Sequence, residues 1–121
     1  MAGAPVGRGD GVGALCREAR WEQAQRELYA DDAVSVEPYA TPGVPQETHG
    51  LPNLIEKGRR FVAQLETLHA HTVSDPLVST ASFACTMSLD VTMKGQGRMQ
   101  MTELCVYQVK DGKIVSEQFF V

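Results

Sequence analysis

Residues 82–121 read SFACTMSLDVTMKGQGRMQMTELCVYQVKDGKIVSEQFFV, and the period of this stretch decides the fold. Phe83, Cys85, Met87, Leu89, Val91 and Met93 alternate with Ala84, Thr86, Ser88, Asp90 and Thr92. A period of two places the first set on one face of a strand, turned to a core. Lys94-Gly95-Gln96-Gly97 is a hairpin turn, after which Met99, Met101, Glu103, Cys105, Tyr107 and Val109 share the inner face of a second strand. Asp111-Gly112 is a strong two-residue hairpin signal. In the last strand Val115, Glu117, Phe119 and Val121 share one face, and Ile114, Ser116, Gln118 and Phe120 the other.

Upstream, His71–Ser79 reads as a further strand with a bulge at Pro76. Before it, Leu51-Pro52-Asn53 opens the clearest helix, with proline in its first turn. Leu54, Ile55, Gly58, Phe61, Val62, Leu65 and Leu68 form its apolar stripe, so the helix is expected to end near Leu68. Glu56, Lys57, Arg59, Arg60, Gln64 and Glu66 occupy its other face. Pro38, Pro42, Gly43 and Pro45 make residues 38–50 a loop. Ala33–Glu37 is a strand, placed after a helical region, 14–30, that Asp31-Asp32 ends; Leu15, Trp21, Ala24 and Leu28 line that region, with a break near Ala19-Arg20. Five glycines within residues 1–13 argue for a flexible arm, because each costs a helix about 1 kcal/mol relative to alanine. The Arg8-Gly9-Asp10 tripeptide in it is read as chance. Helices followed by an antiparallel meander define an α+β fold with one domain over residues 14–121.

Composition narrows the function. A chain of 121 residues with net charge −4 and no basic stripe is not built for nucleic acid. No apolar run approaches about 18 residues, so no membrane partner is expected. The first residues lack the apolar centre of a secretion signal, and a cytoplasmic location is expected. Cys16, Cys85 and Cys105 are odd in number without C-x-x-C spacing, which reads as buried free thiols. No phosphate-binding glycine loop and no nucleophile elbow is present, and neither a metal nor a cofactor is expected.

The chemistry sits in carboxylates at inward positions. Glu37 ends the Ala33–Glu37 strand directly before Pro38. A carboxylate there is costly unless it is paired, protonated or used. Glu103 lies between Met101 and Cys105, and Glu117 between Val115 and Phe119 on the neighbouring strand, so the two are expected to approach each other. Buried together, two such groups do not both ionise, and the protonated one can donate to a ligand oxygen. The bland alternative is pairing with backbone amides or with a cation such as Arg98. His69 and His71 are expected to share a strand face, as a metal or proton-relay pair or as a rim pair; His49 is expected to be exposed. Tyr29, Tyr39 and Tyr107 are candidate hydrogen-bond donors to a ligand. Met87, Met101, Phe61, Phe83 and Phe119 are core or pocket lining.

Leu28-Tyr29-Ala30-Asp31-Asp32-Ala33-Val34, the Gly50-Leu51 start of the long helix, and Val106–Ile114 with its Asp-Gly turn together resemble the nuclear-transport-factor-2-like superfamily, and within it the SnoaL-like proteins. These include polyketide cyclase and ketosteroid isomerase relatives. The resemblance covers residues 14–121. It implies a cone-shaped curved antiparallel sheet with helices on its concave face, the cystatin-like α+β roll, and a pocket that opens near residues 38–50. It also places Glu37 where ketosteroid isomerases carry the proton-shuttling base. Their oxyanion-hole donors do not carry over: the tyrosine falls near Gly13 and the protonated aspartate near Cys105. Two functions are expected from this resemblance. One is binding of a small, largely apolar carbonyl-bearing or polycyclic molecule, with isomerase, cyclase or hydrolase-like acid–base chemistry by Glu37 and by Glu103 or Glu117. The other is a non-catalytic binding or assembly module. Leu104, Val106, Ile114 and Phe120 make the outer sheet face apolar, so a homodimer through that face is expected.

Overall fold

The computed structural model describes residues 21–121; the readings made on residues 1–20 lie outside them. The order is α1 (Trp21–Leu28), β1 (Tyr29–Val36), β2 (Glu47–His49), α2 (Leu51–Gln64), β3 (Leu65–Val73), β4 (Leu77–Val78), β5 (Ser82–Met93), β6 (Gly97–Lys110) and β7 (Lys113–Phe120). Among the described residues two helices pack against an unclosed, curved sheet of order β2-β1-β7-β6-β5-β3, with β4 also on β5. The sheet is mostly antiparallel; β1 runs parallel to β7, so the first and last strands of the described residues are neighbours.

The meander forms because its residues alternate and its turns fit. Asp111 and Gly112 both take positive φ, 53° and 78°, as a two-residue turn matched to strand twist demands. Along β5 and β6 the odd-numbered residues turn inward. Phe83, Cys85, Cys105 and Tyr107 meet Ile114 in one cluster; Leu89, Val91 and Met93 meet Trp21, Phe61, Met99 and Met101 in another. Phe83 and Tyr107 stack with ring centres 4.7 Å apart.

Several boundaries differ from the sequence reading; residues 38–50, read as a loop, carry the short strand β2 paired antiparallel with β1, which ends at Val36. The helix α2 stops at Gln64, and Leu65 and Leu68 belong to β3. LETLHAHTV satisfies a helical spacing as well, but the long β5 offers Met93 through Met87 as pairing partners, and that tertiary pairing wins. Likewise β1 begins at Tyr29, directly after α1, where it pairs with Ile114. The strand read over His71–Ser79 is two segments on one neighbour: β3 reaches Val73, residues 74–76 interrupt it at Pro76, and β4 resumes at Leu77 opposite Ala84.

A register shift corrects the last strand. Gln108 pairs with Ser116 but Val109 with Ile114, so Val115 is an extra residue. That bulge turns Ile114 inward, 1% exposed, instead of onto the outer face. The start of α2 is tied to β1 by the Gly50 amide, which donates to the Ala33 carbonyl at 2.8 Å. Gly50 has φ 89°, open to glycine at no steric cost. Among the described residues no helix is long and apolar enough to cross a membrane.

Candidate functional site

On β1, Ala33 and Ser35 are fully buried, and Glu37, one residue past the end of the strand, continues the same alternation. Because Gly50 anchors α2 beside Ala33, the second turn of that helix passes over Ser35 and Glu37. Lys57 lies there and extends inward, its side chain only 18% exposed. Its ammonium donates to Glu37 Oε2 at 2.8 Å and to Ser35 Oγ at 2.6 Å. With its oxygen accepting from Lys57, the Ser35 hydroxyl donates onward to Glu117 Oε2 at 2.7 Å. The Tyr29 hydroxyl donates to the other oxygen of Glu117. A continuous chain therefore runs Tyr29–Glu117–Ser35–Lys57–Glu37. The Phe119 ring lies beside it, its centre 5.8 Å from the Lys57 nitrogen.

Glu103 stands apart from this chain. It sits opposite Met87 on β5, and no hydrogen bond or ion pair to its carboxyl is present among the described residues. Burial pushes its carboxyl up to about 7; the charges of Glu37 and Glu117 push the same way, and Lys57 opposes them. Burial also raises Glu117, against the hydrogen bonds from Tyr29 and Ser35 and the charge of Lys57. Glu117 and Glu103 are not register partners, since Glu117 faces Tyr107, yet each lies within the field of Glu37.

This arrangement sets a pH dependence. Between the ordinary glutamate value of 4.5 and about 7, folded Glu103 holds a proton that the unfolded chain has released. Its contribution to stability is full below 4.5 and is lost as pH rises through 7. Glu103→Gln should therefore stabilise the protein relative to wild type more at about pH 8 than at about pH 5, by on the order of 1–2 kcal/mol once its partial exposure is allowed for. Urea unfolding at the two pH values measures this. An equal difference at both would mean that Glu103 is not held neutral.

The other predicted residues divide. Phe119 and Met87 border the carboxylates. Phe83 and Tyr107 are stacked in the core, and Phe61 and Met101 pack with Trp21 and the Leu89–Met93 cluster. Tyr39 is 60% exposed in the loop beyond Glu37. Arg98 pairs with Asp90 on the outer face, at 2.9 and 3.0 Å, and not with a glutamate of the site. His69 and His71 do not share a face. The register shift between Leu68 and Ala70 sends His69 outward to Thr92 Oγ1 at 2.6 Å, while His71 is buried edge-on to Trp21. Cys85 and Cys105 are buried cross-strand partners; the contact with Cys85, then burial, pushes the Cys105 thiol up. Cavities of about 230 and 250 Å³ lie near Thr80–Ser82 and Leu77–Val78, away from the carboxylates.

Sequence reasoning missed Lys57 and Ser35 as site residues. Ser35 has the same strand parity as Glu37, which was signal enough. Lys57 flanks the apolar stripe of α2 one position before Gly58, where a long side chain can lie along the helix and carry its charge inward.

Comparison with known proteins agrees with this architecture. A family model described as a SnoaL-like domain matches residues 9–121. No curated protein matches the chain. A Mesorhizobium loti protein, proposed to be a SnoaL-like polyketide cyclase and also labelled a carbohydrate phosphatase, is 32% identical, with a TM-score of 0.79 over 90% of this chain and 92% of that one. A Xanthomonas campestris protein of unknown function with a cystatin-like fold superposes with a TM-score of 0.74 at 13% identity, over 98% and 86% of the two chains. A Catenulispora acidiphila protein with a ketosteroid isomerase-like fold, solved in complex with trimethylamine, does so with a TM-score of 0.66 at 14% identity, over 85% and 73%.

Proposed function

The chain belongs to the SnoaL-like domain family, and on that premise we propose that it binds a small, largely apolar carbonyl-bearing molecule beside Glu37 and Glu103 and moves a proton on it. The observation that carries this reading is the division of labour between the carboxyls. Glu37 is held in an ion pair with Lys57, while the unpaired Glu103 is neutral up to about pH 7. Glu37 takes a proton from the carbon next to the carbonyl. The resulting enolate oxygen accepts a hydrogen bond from the Glu103 carboxylic acid, and Glu37 returns the proton to a different carbon or serves a ring closure. Glu103 thus supplies an acid two residues from Cys105, where the family's own donor is absent. Glu117 is committed to Tyr29 and Ser35 and is not the donor. Met87 and Phe119 give the ligand apolar surface.

The test is deuterium exchange at carbons next to the carbonyl in a panel of apolar ketones, followed by proton NMR in heavy water. Exchange by the wild-type protein that is weakened in Glu103→Gln supports the mechanism. Binding without exchange favours the non-catalytic module, and neither binding nor exchange overturns both.

We also propose that a second copy of the chain covers the outer sheet face. Register supports it: Leu104 pairs with Phe120, and one row along Leu77, Ala84 and Val106 lie side by side. Leu77 is 81% exposed, and Leu104 and Phe120 are each 43% exposed. The double variant Leu104→Glu, Phe120→Glu should sediment at the monomer mass of 13.2 kDa and the wild type at twice that. A monomeric wild type removes the proposal.

A further inference from the structure

Among the described residues, the cations other than Lys57 lie at the surface. Arg26 and Arg59 meet Glu22, Arg60 meets Glu56, Arg98 meets Asp90, and each of these arginine side chains is more than half exposed. Lys113 donates to the Glu27 carbonyl. Lys57 alone is drawn in from the polar face of its helix, and it arrives at the junction of two glutamates and a buried hydroxyl.

We infer that Lys57 is the positioning residue of this site: it holds Glu37 directly and Glu117 through Ser35, so that of the three carboxyls Glu103 alone is left without a side-chain hydrogen bond or ion pair among the described residues. The geometry is over-determined on one side and open on the other. Both oxygens of Glu117 accept hydrogen bonds, one oxygen of Glu37 is taken by the ammonium, and Ser35 is used as acceptor and donor. Glu103 meets Met87 across the strand pair and Cys105 two residues along its own strand. The charged groups acting on it are Glu37 from the end of β1, Glu117 from β7 and Lys57 from α2. A neutral carboxylic acid in that place recognises a hydrogen-bond acceptor, such as a carbonyl or ether oxygen, and repels nothing. Were Lys57 uncharged, Glu37 and Ser35 would lose the cation they share, and the attraction that opposes the rise at Glu103 would be gone. The inference deepens the proposed function and relies on it only for the identity of the ligand. The distribution of charge can be measured with no ligand present.

The experiment is a pH titration of glutamate side-chain carboxyls, 13C-labelled, in wild type, Lys57→Met and Lys57→Arg. In wild type Glu103 should titrate near 7 as a separate step. In Lys57→Met its midpoint should rise by about one unit, because an attractive charge has gone. Lys57→Arg should bring the Glu103 midpoint back toward the wild-type value. A folded Lys57→Met protein with an unmoved Glu103 midpoint overturns the inference, as does failure of a folded arginine variant to restore it. Should the methionine variant not fold, the wild-type lysine amines decide. One ammonium signal slow to exchange with water, shifting as Glu103 titrates, upholds the role; its absence overturns it. Loss of turnover in Glu37→Gln bears on the proton-transfer reading alone, so the two can fail separately.

Discussion

Glu37→Gln is expected to slow proton exchange on a carbonyl substrate by about a hundred- to ten-thousand-fold, the usual worth of a positioned general base. Glutamine keeps the size of the side chain and an oxygen that can accept from Lys57, so the ammonium retains a partner and the chain to Ser35 and Glu117 is left in place. The variant loses the ability to take a proton. The loss should appear in kcat with ligand affinity little changed, because glutamine presents nearly the same surface to a bound ketone. Steady-state exchange rates with a titrated substrate separate the two quantities. Exchange at the wild-type rate would mean that another group is the base and that the Glu37–Lys57 pair serves only to brace β1 against α2.

Leu54→Ala should cost about 2–5 kcal/mol of stability. Leu54 is 0% exposed on the face of α2 that packs toward β1, together with Leu51 and Ile55. Truncation removes the transfer free energy of the side chain and leaves a cavity that the close-packed interior fills only in part. The helix concerned is the one that delivers Lys57, so the site should loosen along with the fold. Denaturant unfolding should show a lower midpoint at unchanged slope. Leu54→Met conserves volume and should cost under about 1.5 kcal/mol. If the alanine variant unfolds at the wild-type midpoint, α2 is not docked on the sheet through this stripe.

The strands of the meander were legible because their signal is local. Each of β5 and β6 has one covered face, so period two is written into the residues themselves, and Asp111-Gly112 states its own turn. The apolar stripe of α2 was legible for the same reason. Failures came where a single residue changes parity. Val115 and the irregularity after Leu68 are extra residues that only pairing with a neighbour reveals. Each reverses the inward and outward parity of its strand across the shift, which is how Ile114 came inside and His69 and His71 parted. The end of α2 failed similarly, because Leu65–Val73 suits a helix until a long strand offers it partners.

By itself the sequence determined the α+β class, the antiparallel meander with its inner and outer faces, and the presence of glutamates where a core would have to answer for them. Only the tertiary structure decided what answers them. Lys57 reaches Glu37 across 20 residues of chain and Ser35 reaches Glu117 across 82, and no pattern along the chain encodes those distances. Periodicity reports which face a residue occupies. Which carboxyl is paired, which is hydrogen-bonded and which is left to hold a proton depends on separations of a few ångströms between segments that meet only when the sheet has brought β1 onto β7.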